Sequence, residues 1–431
     1  MEHWLCTAAA MHPDRVALAV ADGQLSYREL HARALATGAG LERRGVREGD
    51  RVGLALPPGA DFAATLHGCL MAGAVAVPVD LRLRAGERAA RAGGAVAVVV
   101  EALDRAPAPQ LRAPGPLPLR LEAVATVMHT SGTTSAARPV ELSAGNWLAG
   151  ALGSAVALGL DQDERWLCPL PLVHVGGLSI LIRSAIYATT VVLHEGFDPD
   201  AVTAMLMDPG QRITLVSLVP TMLARLLDAG LQAPPALRWA LLGGGPIAPS
   251  LLNRAGAAGV PVAPSYGMTE ACSQIATNGW PLPGVDVRIE PDDSEILIRG
   301  PNVAAGALAP DGWLHTGDLG TIDPHGRLAI VGRKSDTIVT GGENVAPAEV
   351  EAVLLEHPAV ADAGVFGRPD PEWGEVVVAS VVLRAAVDAP GAELRAFCAE
   401  RLAPFKLPKA IHFADQLPRS ATGKLLRSEL D

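Results

Sequence analysis

The sequence predicts an α/β protein, with a large first part of mostly parallel sheets layered with helices and a small α+β unit after it. Three observations predict this. Compact apolar runs recur at helix-length intervals, several of them end in glycine- or hydroxyl-rich loops, and the pattern changes near Ile330. Strands separated by helix-length segments imply parallel pairing, with helices covering both faces. At 431 residues the chain also exceeds what one core usually supports, so two or more domains are expected.

Taken in order, Arg15 to Val20 is a short strand and Asp22-Gly23 a turn pair. Ser26 with Glu29 has the spacing of a capping box and opens a helix with Leu30, Leu35 and Leu41 on its apolar positions. Arg51 to Leu56, Ala74 to Val79 and Ala95 to Val100 are further strands, the last two rich in β-branched valine. The Pro-rich segment Ala106 to Leu119 is an irregular connection. Strands continue at Trp166 to Leu170, Thr190 to His194, Ile213 to Leu218, Trp239 to Leu242 and Val260 to Ala263. Beyond Ile330 come a helix over Pro347 to Glu356, strands over Val360 to Phe366 and Val376 to Leu383, a helix over Ala392 to Leu402, and a strand near Ala410 to Phe413. That suffices for one small domain of roughly 100 residues.

Composition narrows the function. The balance of 35 basic against 46 acidic residues, a net charge of −11, argues against nucleic acid as a partner. No apolar run reaches the length of a membrane span, and Met1-Glu2-His3-Trp4 lacks the basic start and apolar run of a secretory signal, so a cytoplasmic protein without membrane insertion is expected. Five scattered cysteines form no CxxC pair, which argues against a disulfide frame or zinc site.

The chemistry gathers in loops. Met128 to Arg138 sets the hydroxyls of Thr130, Ser131, Thr133 and Thr134 around Gly132, with Arg138 and Pro139 following. Hydroxyls and backbone N–H groups on a glycine loop suit a polyanion such as a triphosphate, although for the stretch taken alone a polar surface turn is the more common explanation. Other runs end in Pro171 to Gly177, in Gly243-Gly244-Gly245-Pro246 and in Ser265 to Glu270. Doubly wound sheets bind ligands where such loops gather, outside the carboxyl ends of the strands. Neither GxxxxGK[ST] nor GxGxxG occurs, which removes support for a Walker-type nucleotidase and for an ordinary dinucleotide fold.

Together, Thr130 to Thr134, Tyr266-Gly-Met-Thr-Glu270, Thr316-Gly-Asp318, Gly332-Arg333 and Pro418 to Lys424 resemble, in order and spacing, the motifs of the adenylate-forming acyl-CoA synthetases. The finer likeness, through Leu167 to Ser179, Arg183 to Tyr187, Leu241 to Pro246 and Ser265 to Gln274, is to the o-succinylbenzoate–CoA ligases of menaquinone synthesis. The resemblance implies ATP, Mg²⁺ and coenzyme A, with a small carboxylic acid as substrate. It also implies a large adenylation domain over 1–332, a hinge at 333–336 with Ser335 as pivot, and a small mobile lid over 337–431. A carboxylate attacks the α-phosphate to give acyl-AMP and pyrophosphate, and the CoA thiol then displaces AMP.

Within that resemblance Thr130, Ser131, Gly132, Thr133, Thr134 and Arg138 hold phosphates. Here Ser135, Arg138 and Pro139 stand where the family has glycine, lysine and glycine, giving a planar cation on a stiffer loop. Gly244, Gly245, Ser265, Tyr266 and Gly267 are further nucleotide contacts, with Tyr266 against adenine, and Thr269 touches phosphate. Glu270 is the Mg²⁺ ligand, Asp318 and Arg333 hold the ribose, and Lys424 stabilises charge developing at the reacting phosphate. His174, Gly243 and Arg183 are acyl-site residues, Arg183 facing a second, non-reacting carboxylate; an exposed surface arginine is the alternative. Gly341, Gly342 and Trp373 line the path of CoA. A ligase of other aryl or acyl specificity stays open, as does a module loading a carrier protein, although the chain stops just after Lys424. A non-catalytic acyl-nucleotide binder and self-association also stay open.

Overall fold

A computed structural model describes residues 1–99, 118–130, 138–384, 387, 389–419 and 425–430. Ser131 to Ser135, Lys424 and most of the Pro-rich connection lie outside the described residues.

A nine-stranded sheet organises the first part of the chain, parallel through its centre and closed by antiparallel pairs at both edges. Its central strands are Thr190–Leu193, Arg165–Cys168, Leu215–Leu218, Trp239–Leu242 and Val262–Met268. A second sheet of five strands sets Arg51–Leu54 and Val75–Pro78 beside Val124–His129, whose antiparallel partner is Pro139–Ser143. Apart from Val262–Met268, which is mostly half-buried, the central strands of both sheets are buried almost without interruption, as expected when helices cover both faces. Between the sheets lies one large apolar core that includes Phe62, Met128, Trp147 and Trp166. Both tryptophans keep their N–H satisfied, Trp147 on Thr126 Oγ1 at 3.1 Å and Trp166 on Ser217 Oγ at 3.0 Å.

Local signals in the sequence locate several element ends. Ser26 and Glu29 form the expected capping box at the start of Tyr27–Arg43, with Glu29 accepting the Ser26 N–H at 2.8 Å. The helix Pro347–Glu356 and the strand Ala410–Phe413 occupy their predicted ranges. Two differences bear on function. Residues 286–333 carry an all-antiparallel sheet of Asp286–Ile289, Glu295–Arg299, Leu314–Ile322 and Leu328–Arg333, which strand–helix alternation did not predict. The Ser265 to Met268 stretch, read as a loop, continues the strand Val262–Met268 and pairs antiparallel with Ser273–Thr277. That turn-back pairs backbone groups a loop would leave open, and the ladder slips by a bulge between Tyr266 and Gly267.

Beyond Asp336, a mostly antiparallel five-stranded sheet packs the helices Pro347–Glu356 and Gly391–Ala399 around a core of its own, from Ile338 to Cys398. No helix among the described residues is long and apolar enough to cross a membrane. All five cysteines are buried and free.

Near the start of the chain, His3 and His67 are each 1 % exposed, with ring centroids 6.2 Å apart and edge to face. Their Nε2 and Nδ1 atoms, and Nε2 of nearby His31, lack hydrogen-bond partners. Burial, reinforced for His3 by the neighbouring rings, lowers His3 to about 3 and His67 to about 4. Both are therefore neutral in the fold, while the unfolded chain takes up protons below pH about 6.5. The stability they contribute is complete above that pH and is lost as pH falls toward 4. Thermal melts at pH 7.5 and 5.0 check this: the double substitution His3→Gln/His67→Gln should flatten the drop in Tm, and equal drops would contradict it.

Candidate active site

One cavity of about 550 Å³ opens at the carboxyl ends of the central strands, within the size range of small-molecule sites. Its wall takes residues from both large sheets, from the antiparallel sheet and from the hinge segment.

On one side stand Thr130 and Arg138, at the neck of the hairpin Val124–His129/Pro139–Ser143. The Thr130 N–H donates to the Arg138 carbonyl at 3.0 Å and the Arg138 N–H to Thr130 Oγ1 at 3.4 Å, so the loop between them is closed at its base. Next along the wall come Gly243, Gly244, Ser265, Gly267, Thr269 and Glu270. Gly243 has no room for a side chain, because a Cβ would meet the Ser265 carbonyl oxygen at 2.8 Å. Thr269 and Glu270 lie in the 3-10 turn that follows the strand Val262–Met268. The Glu270 side chain has no hydrogen-bond or ion-pair partner among the described residues, although its carbonyl accepts the Ala304 N–H at 2.8 Å, and no cluster of three His, Cys, Asp or Glu side chains there is able to enclose a metal. A lone carboxylate on a cavity wall suits Mg²⁺, which keeps water and phosphate oxygens as its remaining ligands.

Asp318 and Arg333 reach the cavity from neighbouring strands and are direct cross-strand partners. Their side chains approach to 3.8 Å, Arg333 Nε to Asp318 Oδ1. Tyr266 lies between the wall residues Ser265 and Gly267 without lining the cavity itself; its ring packs against the apolar cluster of Ile275, Ile296 and Ile298, and its hydroxyl donates to Asp318 Oδ2 at 2.8 Å. Burial and the Asp318 charge both raise the Tyr266 hydroxyl far above its usual range, so it stays a donor and fixes the carboxylate's orientation. Gly245, unlike Gly243 and Gly244, is also absent from the wall.

His174, Gly176, Gly177 and Ser179 line the other side from the start of the helix Val175–Tyr187, opposite Met222, Leu241 and Gln274. Gly177 is required there, since a Cβ would lie 2.5 Å from the Pro171 carbonyl oxygen. Burial first, and then the Arg82 charge, lower the His174 imidazole, which presents a neutral ring with Nε2 unpartnered. Arg183 is only 2 % exposed, which excludes the surface-arginine alternative; it stands behind the wall with its guanidinium 5.9 Å from the Trp166 ring. Its Nη2 has no hydrogen-bond partner and no described carboxylate pairs with it.

Ser335 reaches the cavity from the 3-10 turn Lys334–Asp336. Gly341, Gly342 and Trp373 gather away from the cavity wall. Gly341 has φ +59° and lies against the Trp373 ring, where a Cβ would approach to 2.8 Å, and its N–H donates to the Trp373 carbonyl at 2.8 Å. Sequence reasoning missed His315, Ser179 and Gln274 on the wall, although each lies inside or beside a quoted motif. It also missed Glu295, which accepts the Gly317 N–H at 2.8 Å and so braces the turn before Asp318.

The AMP-binding enzyme profile matches residues 5–116 and 100–308, and the AMP-binding enzyme C-terminal domain profile matches 349–424. The chain belongs to the AMP-binding enzymes, the adenylate-forming acyl-CoA synthetases. Within that family it is 39 % identical to 2-succinylbenzoate–CoA ligase of Bacillus licheniformis, covering 100 % of both chains, and 38 % identical to that of Bacillus subtilis strain 168, over 99 % of this chain and 97 % of the relative. The structure matches o-succinylbenzoate CoA synthetase (MenE) from Bacillus subtilis in complex with the acyl-adenylate OSB-AMP at a TM-score of 0.90, with 37 % identity over 100 % of this chain and 98 % of that one. The ATP and magnesium complex of the same enzyme scores 0.89, at 37 % identity over 99 % and 98 %. A double mutant bound to the product analogue OSB-NCoA scores 0.73, at 37 % identity over 100 % and 98 %. Thus this AMP-binding enzyme lies nearer to the adenylate and ATP complexes than to the product-analogue complex.

Proposed function

We infer that the chain is a 2-succinylbenzoate–CoA ligase of menaquinone synthesis, joining 2-succinylbenzoate to CoA at the expense of ATP, with AMP and pyrophosphate released. The observation that carries this reading is a single cavity in which Thr130, Arg138, Glu270, Asp318 and Arg333 share a wall with the His174–Ser179 corner. Full-length identity to curated 2-succinylbenzoate–CoA ligases supports the choice of acid.

In this reading Thr130 and Arg138 hold the β- and γ-phosphates, Asp318 and Arg333 the ribose, and Glu270 the Mg²⁺. Bound there, Mg²⁺ neutralises phosphate charge. A carboxylate oxygen of the acid bonds to the α-phosphorus as the bond to pyrophosphate breaks; phosphoryl transfer of this kind asks for alignment and charge compensation and no covalent help from the protein. Lys424 supplies positive charge to the same oxygens. In the second half-reaction the CoA thiol sulfur bonds to the acyl carbon and AMP leaves. Rotation at 333–336 exchanges the two half-reactions, which withdraws the mixed anhydride from water between them.

The acid enters beside His174, whose neutral ring is free to hydrogen-bond it. Arg183 lies one helical turn beyond Ser179, on the same face of the same helix. A buried guanidinium without a counter-charge is costly, and the second carboxylate of a diacid supplies that charge.

Purified enzyme with ATP, CoA and a panel of acids, read by mass spectrometry, tests the proposal. 2-Succinylbenzoate should form its thioester at least about 100-fold faster than benzoate, a fatty acid, or its own ester at the distal carboxylate. Preference for benzoate or a fatty acid would refute the substrate, and adenylate without thioester would point to a carrier-protein acceptor.

A further inference from the structure

The chain on either side of residues 420–424 is fastened to the small domain by two arginine–carboxylate forks. Before the segment, Arg419 Nη2 donates to both oxygens of Asp362, each at 2.8 Å. After it, Arg427 Nη2 donates to both oxygens of Glu351, at 2.7 and 2.8 Å. Arg419 and Leu425 face each other across an isolated antiparallel bridge. Leu417, Leu425 and Leu430 close over Gly364, where an added Cβ would come within 2.9 to 3.4 Å of their methyl groups.

Stability of the small domain accounts for much of this, but not for where Arg427 reaches. Its Nε donates to the Val365 carbonyl at 3.1 Å and its Nη1 to Asp336 Oδ2 at 3.2 Å. Glu351, only 7 % exposed, also accepts the Val365 N–H at 2.8 Å, so the receiving carboxylate is itself fixed. Asp336 adjoins Ser335. On the other flank of Ser335, Lys334 bonds to Asp293 and, at 3.1 Å, to Glu295, the residue that braces Gly317 beside Asp318. Ser335 thus lies between one ion pair anchored near the ribose residue Asp318 and another anchored on the small domain.

We propose that Arg427 is a positioning residue for the adenylation half-reaction, tying the chain that carries Lys424 to the hinge turn through Asp336 and to the small domain through Glu351. It rests on the role given to Lys424 above. A guanidinium that donates from all three nitrogens, to Val365, Asp336 and Glu351, is fixed in direction as well as distance, and a catalytic group displaced by about 1 Å loses on the order of 100-fold in rate. The second half-reaction does not use Lys424, so the loss is selective.

The test uses the full chain as Arg427→Met, Arg427→Lys and Lys424→Ala. Acid-dependent ATP–pyrophosphate exchange reports adenylation, and thioester formation from supplied acyl-adenylate reports the second step. Arg427→Met should lower kcat for exchange at least about tenfold, with KM for ATP within about twofold and the thioester step within about threefold. Arg427→Lys should restore part of the loss. Equal losses in both steps, or none, overturn the proposal. Should Arg427→Met fail to fold, Asp336→Asn removes only the hinge contact and should lower exchange about threefold with the same selectivity; no change there also overturns it. Normal exchange in Lys424→Ala would overturn it together with the reading of Lys424, whereas lost exchange there beside normal exchange in Arg427→Met would overturn it alone.

Discussion

Lys424→Ala should abolish acyl-adenylate formation, lowering its rate by at least about 1,000-fold, while ATP binding stays within a few-fold. The α-phosphorus is crowded by oxygens as the acid's carboxylate approaches, and an ammonium aimed at that charge in a site closed to water is worth about 4 kcal/mol. On the proposed reading triphosphate binding draws instead on Thr130, Arg138 and Glu270, all on the cavity wall. The variant therefore separates catalysis from affinity. Single-turnover mass spectrometry for acyl-AMP, beside calorimetry with ATP, measures the two. Supplied acyl-adenylate should still be converted to thioester, since that step needs the other face of the small domain. Acyl-AMP formed at the parent rate would remove the assignment.

The sequence is most legible where the determining interaction is local. Ser26 and Glu29 are three residues apart, and their capping box could be read directly; so could the helix opened by Pro347. The parallel core was legible because its strands are buried on both faces and read as unbroken apolar runs. What escaped depends on register between distant segments. Asp318 and Arg333 belong to separate motifs, and only the strand pairing makes them neighbours. Tyr266 and Asp318 lie 52 residues apart, and nothing local announces their hydrogen bond. The burial of Arg183 escaped for a related reason. An arginine on a helix predicts a solvated face, but both flanks of its helix are covered, by the strand Arg165–Cys168 and by Ser273–Thr277. Periodicity reports which faces are apolar; it does not report how many neighbours cover them.

Gly267→Ala should be the most disruptive single-methyl change in the site. A Cβ at this position would stand 1.7 Å from the Ser273 carbonyl oxygen, 2.7 Å from its carbon and 3.0 Å from Gln274 Cα. All three atoms are backbone, so no side-chain rotation relieves the contact. The partner strand also has little freedom to retreat, because Cys272 and Ser273 already sit at φ +51° and +93°, where non-glycine residues are strained. The strands Val262–Met268 and Ser273–Thr277 must therefore part at their bulge, moving the Thr269–Glu270 turn that joins them. Overpacking at a well-ordered site costs about 1–3 kcal/mol, and a backbone clash of this depth should reach the top of that range or exceed it. ATP–pyrophosphate exchange should fall at least about 100-fold, with a higher KM for ATP, as expected when phosphate-side groups move by about 1 Å. Thermal unfolding of the purified variant against the parent separates the two costs. If the variant melted within a degree or two of the parent and kept its exchange rate, the hairpin would have to open without displacing Glu270, and the close approach at Gly267 would not be what places the Thr269–Glu270 turn on the cavity wall.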